Sequence, residues 1–388
     1  MSDREANSQP DSSPLAQALA QRRVLVCVGA GGVGKTTVAA SLALCKAVQG
    51  QGALVCTIDP ARRLANSLGL KELGNAETRI APEQLASAGL PPSSPLFAMM
   101  LDMKRTWDEF IERHAPPSRK ERILNNRFYR SLSSVLAGSQ EYIALEELWQ
   151  LRMHRDYRLI VLDTPPAAHA KDFLDAPNRI LDFLDNDAAK WLLGPALTAG
   201  KFGLHLFGSG SGYVAKTLAK LTGAETLEDL ADFMLAMSSM NESFRQRARQ
   251  VRALLASDET AFVLVTTPQL ERLEEAVDFH TELQQNHMAV AAVIVNRVTA
   301  APSRADWKSA SKLEGPLRQK IEQTLRENEA MAAEDAQSIA RLKADCHPTP
   351  LVSVPKLVKD IHDLNGLWSL AQLLVPAGEA PGRTLESV

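Results

Sequence analysis

The sequence of 388 residues lacks the features that mark membrane-spanning, secreted and nucleic-acid-binding proteins. No uninterrupted apolar run is long enough to span a bilayer. The polar N-terminus MSDREANSQPDSSP has neither the basic start nor the apolar centre of a signal peptide. The 43 basic and 46 acidic residues give a formal charge of −3, so nucleic acid is not an expected partner. We therefore expect a cytoplasmic protein, and peripheral contact with a membrane stays open.

Cysteine is scarce, and its spacing speaks against several kinds of site. The four cysteines form no C-x-x-C pair, and three of them lie in apolar stretches. They are Cys27, Cys45, Cys56 and Cys346. This pattern indicates buried free thiols in a reducing compartment. It speaks against an iron–sulfur cluster, a zinc pair and an arsenite site, since a thiolate site needs several sulfurs that converge.

Short apolar runs alternate with helical stretches through most of the chain. The hydrophobic content of 45% is enough for a sizeable core. Near-continuous apolar strands between helices predict an α/β fold with a doubly wound, mostly parallel sheet. The predicted strands are 24–28, 53–58, 96–101, 159–164, 261–267, 292–296 and 350–355.

The composition also predicts the domain organisation. Residues 1–21 and 376–388 are polar and are expected to be disordered tails of a domain at 22–375. Helical stretches at about 104–156 and 178–256 do not fit a minimal βα repeat. We interpret them as a helical subdomain inserted into the sheet domain. No internal repeat is found, and a single phosphate loop argues against a fused tandem protein.

Two further segments have distinctive compositions. LFGSGSGYVAKTLAKLTG contains the glycine-rich residues 207–212 and predicts a flexible loop. A lid that touches a membrane and a plain insertion are both compatible with it. KLVKDIHDLNGLWSLAQLL, residues 356–374, predicts an amphipathic helix that closes the domain.

The stretch GAGGVGKTT at residues 29–37 fits G-x-x-x-x-G-K-[ST] between an apolar run and a helical run. Its glycines allow backbone N–H groups to surround a phosphate. Lys35 would neutralise the β- and γ-phosphates, and the Thr36 hydroxyl would bind Mg²⁺. A glycine-rich turn without a ligand is the alternative, but the strand and helix context favours a nucleotide. The residues predicted to bind it are Gly29, Ala30, Gly31, Gly32, Val33, Gly34, Lys35, Thr36 and Thr37.

Two aspartates end predicted strands, Asp59 in TIDP and Asp163 in VLDTP. The carboxyl ends of parallel strands face the crevice in which ligands bind. Phosphoryl transfer needs one carboxylate near Mg²⁺ and another that orients or deprotonates the attacking water. The alternative for each aspartate is a helix N-cap, and Asp59 before Pro60 fits that role too.

Four motifs in this order carry a family resemblance: GAGGVGKTT, IDPARRL, LDTPPAAH and VIVNR. Together they make the chain resemble the arsenical-pump ATPase family, which includes the ATPases that deliver tail-anchored membrane proteins. The resemblance covers about residues 22–375 and implies a P-loop NTPase fold with a deviant Walker A motif. It implies an ATPase, a hydrolase that uses ATP and Mg²⁺.

The resemblance also implies roles for individual residues. Asp59 and Lys35 would be catalytic, Asp59 as the switch I residue that activates water. Asp163 would begin switch II, which His169 would close, and Mg²⁺ would be supported by Thr36, Asp59 and Asp163. Asn296 would hydrogen-bond adenine, and Arg297 follows it at the nucleotide. Val354, Pro355 and Lys356 would pack near the base.

Family members usually form an ATP-dependent dimer that moves a helical subdomain and its client. Ala30 departs from the family, because many relatives carry there a lysine that reaches the partner's phosphates. Either that contact is absent, another cation substitutes, or a different subunit supplies it. Arg62 and Arg63 are the nearest substitute cations, although solvation or local pairing is the simpler interpretation for both. Ala168 stands where many relatives have glycine.

Three roles beyond hydrolysis follow from the resemblance. The first is a switch that handles an apolar or tail-anchored client, and the second is an ATP-controlled scaffold that polymerises or pairs with a paralogous ATPase subunit. The third, a metalloid-pump motor, is disfavoured by the cysteine pattern. Met234, Met237 and Met240 would suit an adaptable client groove, but ordinary core packing is the favoured interpretation.

Overall fold

The computed structural model describes residues 14–58, 63–126, 129, 139–165, 174–176, 241–357 and 359–376. The chain divides into two compact units. The sheet unit comprises Met1–Met100, Arg152–Lys171 and Leu255–Val388, and the helical unit comprises Leu101–Leu151 and Asp172–Leu254.

The sheet unit is built on one mostly parallel sheet. Its described strands are β1 (Val24–Val28), β2 (Ala53–Thr57), β3 (Thr78–Arg79), β4 (Leu96–Met100), β5 (Leu159–Asp163), β6 (Thr260–Thr266), β7 (Val290–Val298) and β8 (Leu351–Pro355). The order is β3-β4-β2-β5-β1-β6-β7-β8. Only β3 is antiparallel to its neighbour, β4. The predicted doubly wound α/β fold is confirmed, while β3 is too short to give an apolar run and was not predicted.

The helices of the described residues are named in chain order. They are α1 (Pro14–Gln21), α2 (Lys35–Val48), α3 (Arg63–Ser67), α4 (Pro82–Ser87), α5 (Met103–His114), α6 (Pro117–Asn125), α7 (Ser139–His154), α8 (Asn241–Leu255), α9 (Leu270–Gln285), α10 (Arg304–Ala310), α11 (Gly315–Asp345) and α12 (Leu364–Leu374). Every residue of the strands β1, β2, β5 and β6 is buried, as expected for parallel strands covered on both faces.

Helix α2 packs against β5 and β2, and α12 packs onto α2. The Ser41 hydroxyl joins the two helices by donating to the carbonyl of Leu367 at 3.0 Å. Helix α12 begins at Leu364 because the Asp363 carboxylate accepts the N–H of Gly366 at 2.8 Å and caps the first turn. The helix predicted at 356–374 is therefore wrong over residues 356–357 and 359–363, which are described and are not helical.

Helix α1 occupies part of the tail that the composition of residues 1–21 predicts to be disordered. Leu15 and Leu19 lie one turn apart on the same face of α1, and both are fully buried in the core. The helix packs against β7. The apolar pair offsets the cost of ordering this end of the segment.

The described part of the helical unit has its own core. Its centre is a cluster of buried aromatic side chains whose ring centroids lie 4.6 to 6.4 Å apart. The cluster consists of Trp107, Phe110, Tyr142 and Phe244. Beside it, the fully buried Glu146 carboxylate lies 3.2 Å from the Arg247 guanidinium. The predicted helical stretches, about 104–156 and 178–256, overlap the two segments of this unit.

Some predicted features lie outside the described residues. They are the glycine-rich residues 207–212 and the methionines Met234, Met237 and Met240. In the part of the chain that is described, no helix combines the length and the apolar composition needed to cross a bilayer.

Candidate nucleotide site

The predicted phosphate loop joins β1 to α2, as the motif requires. Gly29 has φ of 143°, and a Cβ added to it would lie 2.0 Å from the carbonyl oxygen of Val265 in the neighbouring strand β6. Gly34 has φ of 102° and is the N-cap of α2. Both positions therefore require glycine, which allows the chain to turn tightly out of the strand and into the helix.

Lys35 is the first residue of α2, and its side chain folds back over the loop. Its side chain is buried, and the ammonium group donates to the carbonyl oxygens of Gly29 at 2.9 Å and Ala30 at 2.8 Å. The ammonium thus ties the start of the loop to the start of the helix. It places a positive charge beside the loop N–H groups that would receive a phosphate.

Asp163 brings three strands to the same point. In the sheet register it lies opposite Cys27 of β1 and Thr57 of β2. One carboxylate oxygen, Oδ2, accepts the hydroxyl of Thr36 at 2.7 Å and the hydroxyl of Thr57 at 2.8 Å. Only 1% of the Asp163 surface is exposed. A carboxylate beside a hydroxyl at the phosphate loop is a set of hard oxygen donors that fits Mg²⁺.

Cys27 is buried in β1, two residues before the phosphate loop begins at Gly29. Burial raises the pKa of the Cys27 thiol well above its usual value, and the negative charge of Asp163 raises it further. The thiol is therefore uncharged, and Cys27 acts as a small apolar side chain. The Thr164 hydroxyl donates to the Cys27 carbonyl at 2.8 Å and fixes the chain directly after Asp163.

A cavity of about 870 Å³ opens beside the loop, which is within the range of small-molecule sites. Predicted binding residues that line it are Gly32, Gly34, Lys35, Thr36, Thr37, Asn296, Arg297 and Lys356. Other residues of its wall are Arg63, Asn66, Ser67, Thr164, Leu357, Lys359, Asp360, Ile361, His362 and Leu370. Basic side chains are numerous on this wall, as an anionic ligand would require.

Asn296 lies near the end of β7, and its side chain contacts the phosphate loop. Its amide nitrogen Nδ2 donates to the carbonyl of Val33 at 2.8 Å, and its oxygen Oδ1 accepts the N–H of Arg297 at 2.9 Å. Arg297 has φ of 61°, in the left-handed region. The predicted contact of Asn296 with adenine stays a prediction, and the structure adds a contact with the phosphate loop that the motif did not predict.

The three residues predicted near the base have different positions. Val354 is buried in the core, Pro355 ends β8 and is exposed, and Lys356 lines the cavity. The Lys356 N–H donates to the carbonyl of Val298 at 2.9 Å, which holds the exit of β8 beside β7. Only Lys356 of this group therefore reaches the cavity wall.

Several residues with predicted roles lie outside the described residues. They are Asp59, Arg62, Ala168 and His169. Arg63 is described, begins α3 and lines the cavity. Ala30 is buried, and its carbonyl is one of the two that bind the Lys35 ammonium.

Sequence reasoning missed two parts of the site. Thr57 directly precedes the predicted strand end, but its bond to Asp163 depends on the pairing of β2 with β5, which a single sequence does not give. The charged residues Lys356, Lys359 and Asp360 line the cavity. The sequence pattern predicted a helix there and gave no sign of this role. The capping pattern D-L-N-G at residues 363–366 is the signal that could have ended that helix earlier.

In the part of the chain that is described, no three histidine, cysteine or acidic side chains converge as a metal site would require. All four cysteines are buried free thiols. The oxygens of Thr36 and Asp163 at the loop are donors of the kind that fits Mg²⁺ held together with the phosphates of a nucleotide, because Mg²⁺ is commonly bound by one or two protein oxygens plus phosphate.

Several known ATPases are similar in sequence to this chain. A family model described as "Anion-transporting ATPase" matches residues 22–375. ATPase GET3B of Arabidopsis thaliana is 27% identical over 311 residues, which cover 75% of this chain and 67% of that protein. ATPase GET3 of Malassezia globosa is 27% identical over 281 residues, which cover 72% of this chain and 73% of that protein. ATPase get3 of Schizosaccharomyces japonicus is 23% identical over 349 residues, which cover 89% of this chain and 90% of that protein.

Proposed function

This chain belongs to the anion-transporting ATPase family and is an ATPase, and from this premise we propose that it works as a Mg²⁺-dependent nucleotide switch. ATP would bind in the cavity beside the phosphate loop, and its hydrolysis would change how the protein pairs with itself or a partner. The observation that carries the proposal is the 2.7 Å hydrogen bond between the Thr36 hydroxyl and the Asp163 carboxylate at the phosphate loop.

The fit to Mg²⁺ rests on this pair of oxygens. Thr36 and Asp163 come from different elements, α2 and β5, and the hydrogen bond keeps them together beside the loop. When bound, Mg²⁺ neutralises charge on the phosphate oxygens and so eases the break of the bond to the γ-phosphorus. Thr36 would supply a hydroxyl oxygen to the ion, and Asp163 would hold that hydroxyl or a water of the ion in place.

The rest of the reaction is positioning and electrostatics. Lys35 keeps a positive charge beside the loop N–H groups, where the β- and γ-phosphates would lie. Asp59, by resemblance to the family, would hold the attacking water and accept its proton. The water oxygen would bond to the γ-phosphorus as the bond to ADP breaks, so the products are ADP and phosphate.

The coupled event is proposed to be dimerisation that acts on a client. The family resemblance supports an ATP-closed dimer whose helical unit handles an apolar segment such as that of a tail-anchored protein. Ala30 leaves open whether the second chain is another copy or a paralogous ATPase subunit. Co-purification of apolar segments with the full chain tests the client, and absence of any such segment in the ATP-bound state would contradict it.

The first experiment is the absolute mass in solution by light scattering, with an Asp59→Asn variant that is expected to bind ATP without hydrolysing it. The measurement compares protein alone, with ATP and EDTA, and with Mg²⁺ and ATP. A dimer that forms only with Mg²⁺ and ATP supports the proposed switch. A mass far above a dimer would instead support an assembling scaffold, and a monomer with bound ATP would point to a different subunit as partner.

The Mg²⁺ dependence has its own test in the wild-type chain. Steady-state ATP hydrolysis is measured while Mg²⁺ is titrated into metal-free protein. We expect no turnover without Mg²⁺ and a saturable rise with it. Full turnover in EDTA would overturn the assignment of the Thr36 and Asp163 oxygens to Mg²⁺.

A further inference from the structure

We infer that Asn296 is a positioning residue of the phosphate loop, whatever contact it also makes with the base. The inference rests on the proposed function, because it assumes that the loop binds the phosphates of a nucleotide. It differs from the adenine contact, since the group that Asn296 holds is a backbone carbonyl of the loop. Its effect should therefore extend to ligands that carry phosphates and no base.

The two hydrogen bonds of Asn296 fix the orientation of its amide. Nδ2 donates to the Val33 carbonyl at 2.8 Å, and Oδ1 accepts the Arg297 N–H at 2.9 Å. A rotated amide would place oxygen against the Val33 carbonyl oxygen and NH₂ against the Arg297 N–H. Like groups would then face each other at both ends, so only the observed orientation satisfies both partners.

The bond to Val33 controls the next N–H of the loop. In a trans peptide, the Val33 carbonyl and the Gly34 N–H point in opposite directions. A carbonyl held toward Asn296 therefore turns the Gly34 N–H away from Asn296, toward the inner side of the loop. Loop N–H groups are what a phosphate-binding loop offers to its ligand, so a free rotation of this peptide would remove one donor.

The close approach also explains why residue 34 is glycine. A Cβ added to Gly34 would lie 2.4 Å from Nδ2 of Asn296. The amide thus occupies the space in which any other residue would place its side chain. Asn296 and Gly34 are matched to each other across 262 positions of sequence.

The strand β7 is shaped to bring Asn296 to this place. Val295 pairs with Ser353 and Val298 pairs with Pro355, so three steps along β7 correspond to two along β8. The extra residue is a β-bulge at residues 296–297, and Arg297 adopts a φ of 61° within it. Bulges re-aim side chains beside functional sites. This bulge supplies both the direction of the Asn296 side chain and the N–H that Oδ1 accepts.

A contact with the base is compatible with this role. A primary amide has two N–H donors, and only one is needed by the Val33 carbonyl. Asn296 would therefore link the base side of the cavity to the phosphate loop. Removal of the Asn296 amide should weaken the binding of a ligand without a base only if Asn296 positions the loop. A contact with the base alone predicts no loss of affinity for such a ligand.

The test is calorimetric titration of the full chain with inorganic tripolyphosphate and, separately, with ADP, both with Mg²⁺. The variants are Asn296→Ala and the similarly shaped, uncharged Asn296→Leu, and both remove the donor to Val33. The matched control is Gln84→Ala. Gln84 also donates to a backbone carbonyl, that of Gly69 at 2.7 Å, and accepts a backbone N–H, that of Ala81 at 3.2 Å.

We expect both Asn296 variants to bind tripolyphosphate roughly tenfold more weakly than the wild type, with Gln84→Ala unchanged. Thermal unfolding without ligand shows whether each variant is folded, and the titration uses Asn296→Leu if Asn296→Ala does not fold. Loss of affinity for ADP together with wild-type affinity for tripolyphosphate would overturn the inference and leave only a base contact. A wild-type chain that binds neither ligand would overturn the inference together with the function on which it rests.

Discussion

Thr36 and Thr57 offer a matched test of the metal site, because both hydroxyls donate to the same oxygen of Asp163. The distances are 2.7 Å from Thr36 and 2.8 Å from Thr57. Thr57 is buried, whereas Thr36 is half-buried and lines the cavity. We predict that Thr57→Val lowers stability while Thr36→Val lowers the response of turnover to Mg²⁺.

The size of the first effect follows from the lost hydrogen bond. Valine keeps the shape of threonine, and the substitution removes the hydrogen bond to a buried carboxylate. A hydrogen bond to a charged group contributes about 1.5 to 3 kcal/mol. At about 2 to 4 °C per kcal/mol for a large domain, the unfolding midpoint of Thr57→Val should fall by roughly 3 to 12 °C.

The second effect is different because Thr36 faces the cavity. Water can replace its hydroxyl at the carboxylate, so the loss of stability should be below about 1 kcal/mol. The hydroxyl is also the proposed ligand of Mg²⁺, and its removal should raise the half-saturating Mg²⁺ concentration by on the order of tenfold. Titration of ATP hydrolysis with Mg²⁺ and thermal unfolding of both variants provide the assays. The reasoning is refuted if Thr36→Val keeps the wild-type Mg²⁺ response while Thr57→Val loses it.

Three further predictions concern the phosphate loop and the attacking water. Lys35→Ala should abolish tight nucleotide binding, measured by calorimetry, since it removes the only side-chain charge of the loop. Asp59→Asn should bind ATP normally and stop turnover, and a normal rate of phosphate release would remove its catalytic assignment. Gly29→Ala should cost at least about 2 kcal/mol in chemical unfolding, because its Cβ would meet the Val265 carbonyl at 2.0 Å. Gly32→Ala meets nothing within 4 Å and should cost only about 1 kcal/mol, for its φ of 78°; equal costs would contradict this.

The central part of the fold could be predicted because its determinants are local. An apolar run, a glycine-rich loop and a helix follow one another within residues 24–48, and the structure places β1, the loop and α2 there. The aspartate that ends β5 was found in the same way, from its place at the end of an apolar run. In each case the deciding residues are neighbours in sequence.

What the sequence did not reveal depends on contacts between distant segments. The bond from Thr57 to Asp163 requires the register of β2 against β5, and the bond from Asn296 to Val33 requires a bulge in β7. Helix α1 was not predicted, because residues 1–21 are polar on average although Leu15 and Leu19 are buried. Composition averages over such pairs, whereas packing depends on the individual side chains.

The absence of a lysine at position 30 bears on pairing more than on nucleotide binding. Ala30 leaves the loop geometry complete, because its carbonyl still accepts the Lys35 ammonium at 2.8 Å. The cavity wall of the same chain carries further basic side chains, namely Arg63, Arg297, Lys356 and Lys359. These side chains are a source of positive charge on the cavity wall of a single chain. Nucleotide affinity therefore tests the proposed site, and the mass in solution with ATP tests the proposed pairing. Tight binding of ATP to a monomer would contradict the pairing and would support the site.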